Sequence, residues 1–356
     1  MMIPLQKTRL GLPRIGSLSI LLPGILTCVV FLLLTSGYFL LLGESPLQML
    51  SMLLAYSLGD GYSISQTLAK TSPILLCALA AAIPGRLGLI SVGAEGQLHV
   101  GAIAGTGVVL IGQHLGAAVL LPLMLIAAAV GGGLYGYVPG LLRARLGINE
   151  TISTLLLNYV AILWVNALVY GPWRDPNSQG WPATINFPDS AVIFKFQGSD
   201  VHLGIILGLV LAVALHLFLT RGRFAKHILV LAGNRKVGQT FGFNFGVWVM
   251  LLMAAGGAAA GLAGISEASA IQGRLQPSLS AGYGLTGFLV AWLARHNPLA
   301  IVPVAFLIGA LISGSDALQL FAKVPAASAI ILQGLLFTTV LLIPALNAML
   351  WRARGN

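Results

Sequence analysis

The stretch Gly88-Leu-Ile-Ser-Val-Gly-Ala-Glu-Gly-Gln-Leu-His-Val-Gly-Ala102 decides how this chain is read. It is apolar enough to sit in a bilayer, yet Gly93 and Gly96 flank one carboxylate, Glu95. A carboxylate near a bilayer centre is costly to bury and marks functional sites. The flanking glycines let a helix break there and let another backbone approach. If the path from Arg86 is helical, Glu95 lies roughly 13 Å in, at about 1.5 Å per residue. Two roles suit it and both can hold: a residue of a solute path or hinge, and a carboxylate capping the N-terminus of a broken half-helix. Gln97 belongs to the same polar interruption.

Outward from this run the chain stays apolar. It has 356 residues, 57% hydrophobic and 8% charged, where a soluble chain carries about 25% charged residues. A mean hydropathy of +0.93 agrees. Too little polar surface exists to cover a water-soluble fold, and the expected class is an all-α membrane protein. The 44 glycines lack a collagen period and suit close helix packing in lipid. The net charge of +10 sits in short loops, so it sets membrane orientation and implies no nucleic-acid partner. Cys28 and Cys77 both fall in apolar runs, which argues against a structural disulfide or a metal site. The apolar run after Lys7, Arg9 and Arg14 is too long for a signal peptide and reads as an uncleaved first span.

About ten segments are expected: 18–42, 67–84, 88–111, 117–142, 151–170, 203–220, 244–266, 283–294, 298–314 and 327–350. The eighth is too short to cross as one straight helix. With the N-terminus inside, only Lys70, Arg174, Lys195, Arg274 and Lys323 of the 19 Lys and Arg fall outside. Glu44, Asp60, Asp175, Asp189, Asp200, Glu267 and Asp316 also fall there, which gives mild support. This segregation predicts that both termini are cytoplasmic, with a tail over 1–17, a transmembrane domain over 18–351 and a tail over 352–356. Two loops stand out by length. The outside loop 171–202 carries Trp173, Trp181, Phe187, Phe194 and Phe196, which suits an interfacial aromatic cap better than a solute contact. The inside loop 220–243 is the most basic stretch of the chain. It suits either a headgroup-binding surface helix or a docking helix for a cytoplasmic partner.

Ser280-Ala-Gly-Tyr-Gly-Leu-Thr-Gly-Phe-Leu-Val-Ala291 echoes the opening stretch. Each lies in the third segment of a five-segment half, so the two halves are expected to be inverted repeats with glycine-broken helices. Tyr283 and Thr286 are candidates to line a polar path, and Gly284 and Gly287 are candidates for helix packing or hinging. Asn149 suits the N-cap of the fifth span and Glu150 its positive end. Asn158, near mid-bilayer, suits helix bridging or solute contact. Gly132, Gly136 and Gly140, Gly204 with Gly208, and Gly257 with Gly261 form four-residue packing stripes.

Catalytic motifs are missing from the sequence. There is no Gly-Lys dipeptide and so no P-loop, no His-Glu-x-x-His and no Gly-x-Ser-x-Gly elbow. An enzyme is disfavoured, and no cofactor or metal is expected in this chain.

The opening stretch resembles the glycine-alanine-glutamate-glycine-glutamine signature of permease subunits of bacterial ABC importers, in the subgroup for nucleosides that is related to the simple-sugar permeases. Three further blocks resemble it, in the right order: Pro139 to Tyr159, Ala232-Gly-Asn-Arg235 leading to Gly242 and the small-residue run 254–264, and Gly284 to Pro298. Ser91 stands where the signature usually has Asn, and Arg235-Lys-Val-Gly238 replaces a proline- and alanine-rich stretch. The resemblance implies a bacterial inner-membrane importer of a small polar solute, with a nucleoside favoured and a pentose or hexose as the alternative. It implies a second permease subunit, identical or not, a cytoplasmic ATPase that holds the ATP and Mg, and an extracytoplasmic solute-binding protein. It also implies that Ala232, Gly233, Asn234, Arg235 and Gly242 seat on the ATPase. An ion-coupled secondary transporter is the remaining rival, and usually carries more intramembrane acids than Glu95 alone.

Overall fold

In the computed structural model, the backbone is described for residues 17–354 except 179, 197 and 323. The expected inside charges Lys7, Arg9 and Arg14, and the expected outside Lys323, lie outside the described residues. The fold is all-α. Helices α1 (Ser17–Leu41), α2 (Pro46–Leu58), α3 (Gly61–Gly85), α4 (Ala94–Ile111), α5 (Ala117–Leu146) and α6 (Glu150–Tyr170) precede the long loop. Helices α7 (Leu203–Arg221), α8 (Arg223–Gly233), α9 (Arg235–Thr240), α10 (Phe245–Ser266), α11 (Tyr283–Leu293), α12 (Pro298–Phe321) and α13 (Ser328–Arg354) follow it.

Side-chain chemistry sets where these helices start and stop. Asn149 accepts from the Thr151 and Ile152 N–H groups at the start of α6, which satisfies donors that a helix end leaves orphaned. Asn234, Asn244 and Asn297 do the same for α9, α10 and α12. Helix α5 ends with Arg143 and Arg145 in its last turn and Gly147 in the left-handed region at φ 68°, a basic end and a glycine stop. His202 opens α7, where its Nδ1 accepts from the Gly204 N–H at 3.1 Å. Burial, with Lys195 nearby, pushes its pKa down to about 4, so the imidazole stays neutral and keeps that acceptor.

Among the described residues, eight helices are long and apolar enough to cross a membrane: α1, α3, α4, α5, α6, α7, α10 with its extension, and α12. Ten segments were expected. The difference is α11, which is only 11 residues long, and α13, whose described apolar part Ser328–Ile343 is also short. Helix α2 was not expected, because its Gln48, Ser51 and Ser57 interrupt a run too short to span.

Boundaries also differ from those expected, and they change three assignments. Helix α3 starts at Gly61, so Lys70 lies about two and a half turns inside it. Helix α10 continues as a π-helical stretch over Glu267–Gln272, and α12 runs on to Phe321. Lys70, Glu267 and Asp316, all expected in outside segments, are therefore helical residues. The span containing Glu267 and its near-complete burial also correct the expectation that Glu95 is the lone intramembrane acid.

Helices α3 and α4 are the most buried spans, with α10, α5, α11 and α12 around them. Glycine makes the contacts between α4, α5 and α10. A Cβ at Gly101 would overlap Gly261 of α10; one at Gly132 would overlap the Gly257 carbonyl; one at Gly136 would reach the Met253 carbonyl. The expected stripes on α5 and α10 thus meet each other, and Gly204 and Gly208 of α7 pack on Ser72 and Leu75 of α3. With no hydrophobic drive between helices in lipid, such close contact is what holds them.

The loop 171–202 packs across the ends of α10 and its extension. Thr184 N–H donates to the Leu275 carbonyl at 3.0 Å and Phe187 N–H to the Gly273 carbonyl at 2.8 Å. Ser269 Oγ donates to the Ala191 carbonyl at 2.6 Å. Phe187 and Trp173 pack into the core, whereas Trp181, Phe194 and Phe196 are exposed. Helix α7 connects this loop to α8 and α9, so the two long loops lie at opposite ends of the bundle.

Candidate functional site

The polar residues singled out from the sequence converge at one place. The chain between Gly85 and Gly93 is not helical; it turns at Gly88, φ 78°, and continues without regular structure to Val92. The depth estimate for Glu95 along a continuous helix therefore does not apply. Glu95 instead sits in the first turn of α4, a helix that begins inside the protein. Helix α11 also begins inside, after Gly282 at φ 86°. The two N-termini meet: Glu95 Oε2 accepts from the Gly284 N–H at 2.7 Å. A carboxylate from one half of the chain thus meets an orphan donor of a half-helix in the other, where the helix dipole favours an anion. Gly284 is required by approach distance, since a Cβ there would overlap the backbone of Glu95.

Asn158 of α6 ties down the other side of the α4 start. Its Oδ1 accepts from the Gly96 N–H at 2.8 Å and its Nδ2 donates to the Val92 carbonyl at 2.8 Å. This is a bridge between elements, one of the two roles expected of it. Gly96 leaves room for Asn158, and Gly93 for Thr154 and Gln97. Gln97 lies between Gly93 and Gly136 of α5. Thr286 Oγ1 accepts from Gln333 Nε2 of α13 at 2.6 Å. The Tyr283 hydroxyl accepts from Lys70 Nζ at 3.5 Å, and Gly287 packs against Cys77 of α3. Glu95, Gln97, Asn158, Tyr283 and Thr286 are all buried.

Two partners were missed. Thr154, whose Oγ1 accepts from the Val92 N–H at 3.2 Å, reads as an ordinary helical threonine. Gln333 is an amide within an otherwise apolar run, and that polarity was a usable signal. Glu150 does more than favour a helix start: its carboxylate pairs with Arg143 at 3.1 Å and accepts from the Ile90 N–H at 3.4 Å. It thereby fixes the loop that leads into Gly93.

At the other end of the bundle, α8 and α9 break at Asn234. Its Oδ1 accepts from the Lys236 N–H at 2.9 Å and the Val237 N–H at 3.4 Å. Gly233 leaves open space, and Gly242 takes the left-handed φ of 81°. Arg235 lies over the Phe245 ring, 4.0 Å from its centroid. His227, Phe224, Phe243 and Trp248 form an aromatic cluster beneath. The face presents both charge and apolar rings. No group of three or more metal-ligating side chains occurs among the described residues.

Residues 63–343 match the family model described as branched-chain amino acid transport system, permease component. A glucose ABC transporter permease protein of Haloferax volcanii is 30% identical over 305 residues, covering 83% of this chain and 80% of the relative. A guanosine ABC transporter permease protein of Bacillus subtilis is 30% identical over 311 residues, covering 81% and 86%. A nucleoside ABC transporter permease protein of Lactococcus lactis is 26% identical over 300 residues, covering 82% of each. No solved structure matches the chain.

Proposed function

This chain belongs to the family of branched-chain amino acid transport system permease components and is a permease subunit of an ABC importer for a small polar solute; on that premise we propose that it passes a nucleoside between the facing half-helices α4 and α11. The hydrogen bond from the Gly284 N–H to Glu95 Oε2 carries the mechanism. It joins the two glycine-broken N-termini, and it is a single bond that a relative shift of the helices would break. Glu95, Gln97, Asn158, Tyr283 and Thr286 line the path. Gly93, Gly96, Gly284 and Gly287 let the two half-helices approach and part. The mirrored placement supports two inverted halves: α4 packs on α10, and α11 packs on α3.

Energy arrives from another chain. Ala232, Gly233, Asn234, Arg235 and Gly242 form the face that seats on an ABC ATPase, which holds the ATP and Mg. The basic loop 220–243 is cytoplasmic, loop 171–202 is outside, and both termini are cytoplasmic, in line with the segregation of Lys and Arg. The working assembly has a second permease subunit and an extracytoplasmic solute-binding protein. A simple sugar is the second reading for the solute, and the Haloferax volcanii relative supports it. Uptake of tritiated guanosine, tritiated uridine and radiolabelled glucose by cells carrying the importer separates the two. Saturable nucleoside uptake unaffected by glucose is expected; glucose uptake alone would overturn the nucleoside reading. Purification of the tagged chain is expected to bring down an ATPase subunit, and Asn234→Pro to release it.

A further inference from the structure

A cavity of about 330 Å³ opens among α2, α3 and α12, apart from the buried residues of the path. Ligand cavities begin at about 300 Å³, so it is large enough for one small solute. Its position is fixed by the long loop: Gln66 Nε2, in its wall, donates to Asp200 Oδ2 at 2.5 Å, and the Asp200 N–H donates to Ser65 Oγ at 2.8 Å. The cavity therefore lies at the end of the bundle covered by loop 171–202.

The walls differ in chemistry. Tyr56 of α2 and Phe321 of α12 stack on each other, with ring centroids 4.8 Å apart and planes 12° from parallel, and this aromatic pair lines one side of the cavity. On the polar side, Lys70 Nζ lies 3.3 Å from Asp316 Oδ2, and both side chains remain partly exposed to the cavity. Asp60 and Gln66 add acceptors and an amide. Among the described residues Lys70 is the one cation in the lining, and it is already held by Asp316, which favours a neutral ligand over an anionic one. The carboxylates accept from hydroxyl or amino donors, and the aromatic pair suits contact with the apolar surface of a ring. Lys70 Nζ also donates to the Tyr283 hydroxyl at the start of α11. The floor of the cavity is thus one hydrogen bond from the facing half-helices.

We propose that this cavity is an outer receiving site for a neutral, hydroxylated ring solute, with the Lys70–Asp316 pair as its floor and the Tyr56–Phe321 pair as its aromatic wall. The inference rests on the importer reading and on loop 171–202 being outside. A nucleoside and a simple sugar share this chemistry.

The test places one cysteine in the cavity, Ala317→Cys, in a full-length chain with Cys28→Ser, expressed with its partner subunits in intact cells. Cys77 is fully buried. Reaction with a membrane-impermeant methanethiosulfonate is timed with guanosine, uridine, glucose or glutamate added, and uptake of each is measured alongside. Labelling from outside is expected, and guanosine, uridine or glucose at twice its Kd is expected to slow it about threefold by mass action. Glutamate is expected to leave it unchanged. Protection by guanosine or uridine identifies the nucleoside source, and protection by glucose the sugar. Lack of protection by all three, equal protection by glutamate, or labelling only in inverted vesicles would overturn the proposal. Uptake without protection removes the receiving site and leaves the transport reading standing; protection without uptake does the reverse. As a second readout, Lys70→Met with Asp316→Asn is expected to raise KM for uptake about tenfold, equivalent to about 1.4 kcal/mol, with the maximal rate kept within about twofold. An unchanged KM at normal membrane levels would count against the floor.

Discussion

At the residue scale, the meeting of the two half-helices depends on atoms that leave no room for substitution. Gly284 holds its N–H 2.7 Å from Glu95 Oε2, and a Cβ there would overlap the Glu95 backbone. Gly284→Ala is expected to force α11 away from α4 and to lower uptake at least tenfold at normal membrane levels; a mild effect, within about twofold, would mean that the two N-termini tolerate separation. His202 gives a prediction in pH. Its folded pKa is depressed to about 4 against roughly 6.5 when unfolded. The unfolded chain then binds the extra proton between those values, so stability is full above about pH 6.5 and falls as pH drops toward 4. The span corresponds to about 3 kcal/mol. His202→Asn keeps an N-capping oxygen without a proton to gain, so thermal unfolding in detergent should lose that part of its pH dependence; identical slopes for both proteins would contradict it. Glu95 stood out in the sequence because a carboxylate among glycines in an apolar run is too costly to bury without a role. Gly284 stood out only as a packing or hinge candidate; its pairing with Glu95 was not legible, because it lies 189 positions away and acts through a backbone N–H that no side-chain pattern reveals.

At the element scale, the long spans were legible because an uninterrupted apolar run of sufficient length has one stable solution in a bilayer. The N-cap of α6 was legible for a similar reason, since Asn149 stands where apolar spacing restarts; the cap of α9 by Asn234 emerged only from the structure. The ends of α3, α10 and α12 were not. Lys70, Glu267 and Asp316 look like surface charges in sequence; in the fold Lys70 and Asp316 pair across α3 and α12 at 3.3 Å, and Glu267 is buried in the extension of α10. The glycine stripes were visible as stripes, but which stripe meets which is a tertiary fact. Gly261 is met by both Gly101 and Gly132, so Gly261→Leu is expected to separate α10 from α4 and α5 and to lower the thermal midpoint by an amount equivalent to about 1–3 kcal/mol. Asn234→Ala is expected to cost about 1 kcal/mol of capping locally and to weaken ATPase capture with little change in membrane level. Equal ATPase recovery from wild type and variant would remove the coupling role from that break.

At the scale of the whole molecule, the two halves contribute one broken helix each to a common buried centre, and the loops at the two ends have different characters. One end is a loop packed on the bundle and tied by Asp200; the other is a capped helix pair with exposed basic residues and an aromatic cluster. Composition and long apolar runs carry the membrane class, whereas the meeting of α4 and α11 is a property of the folded chain alone. The most direct test compares uptake by the wild-type importer with uptake when this chain carries Glu95→Ala, using whichever of tritiated guanosine and radiolabelled glucose the wild type takes up, at matched membrane levels. Loss of uptake by Glu95→Ala is expected if the two half-helices gate the path through that carboxylate; uptake at the wild-type rate would contradict it.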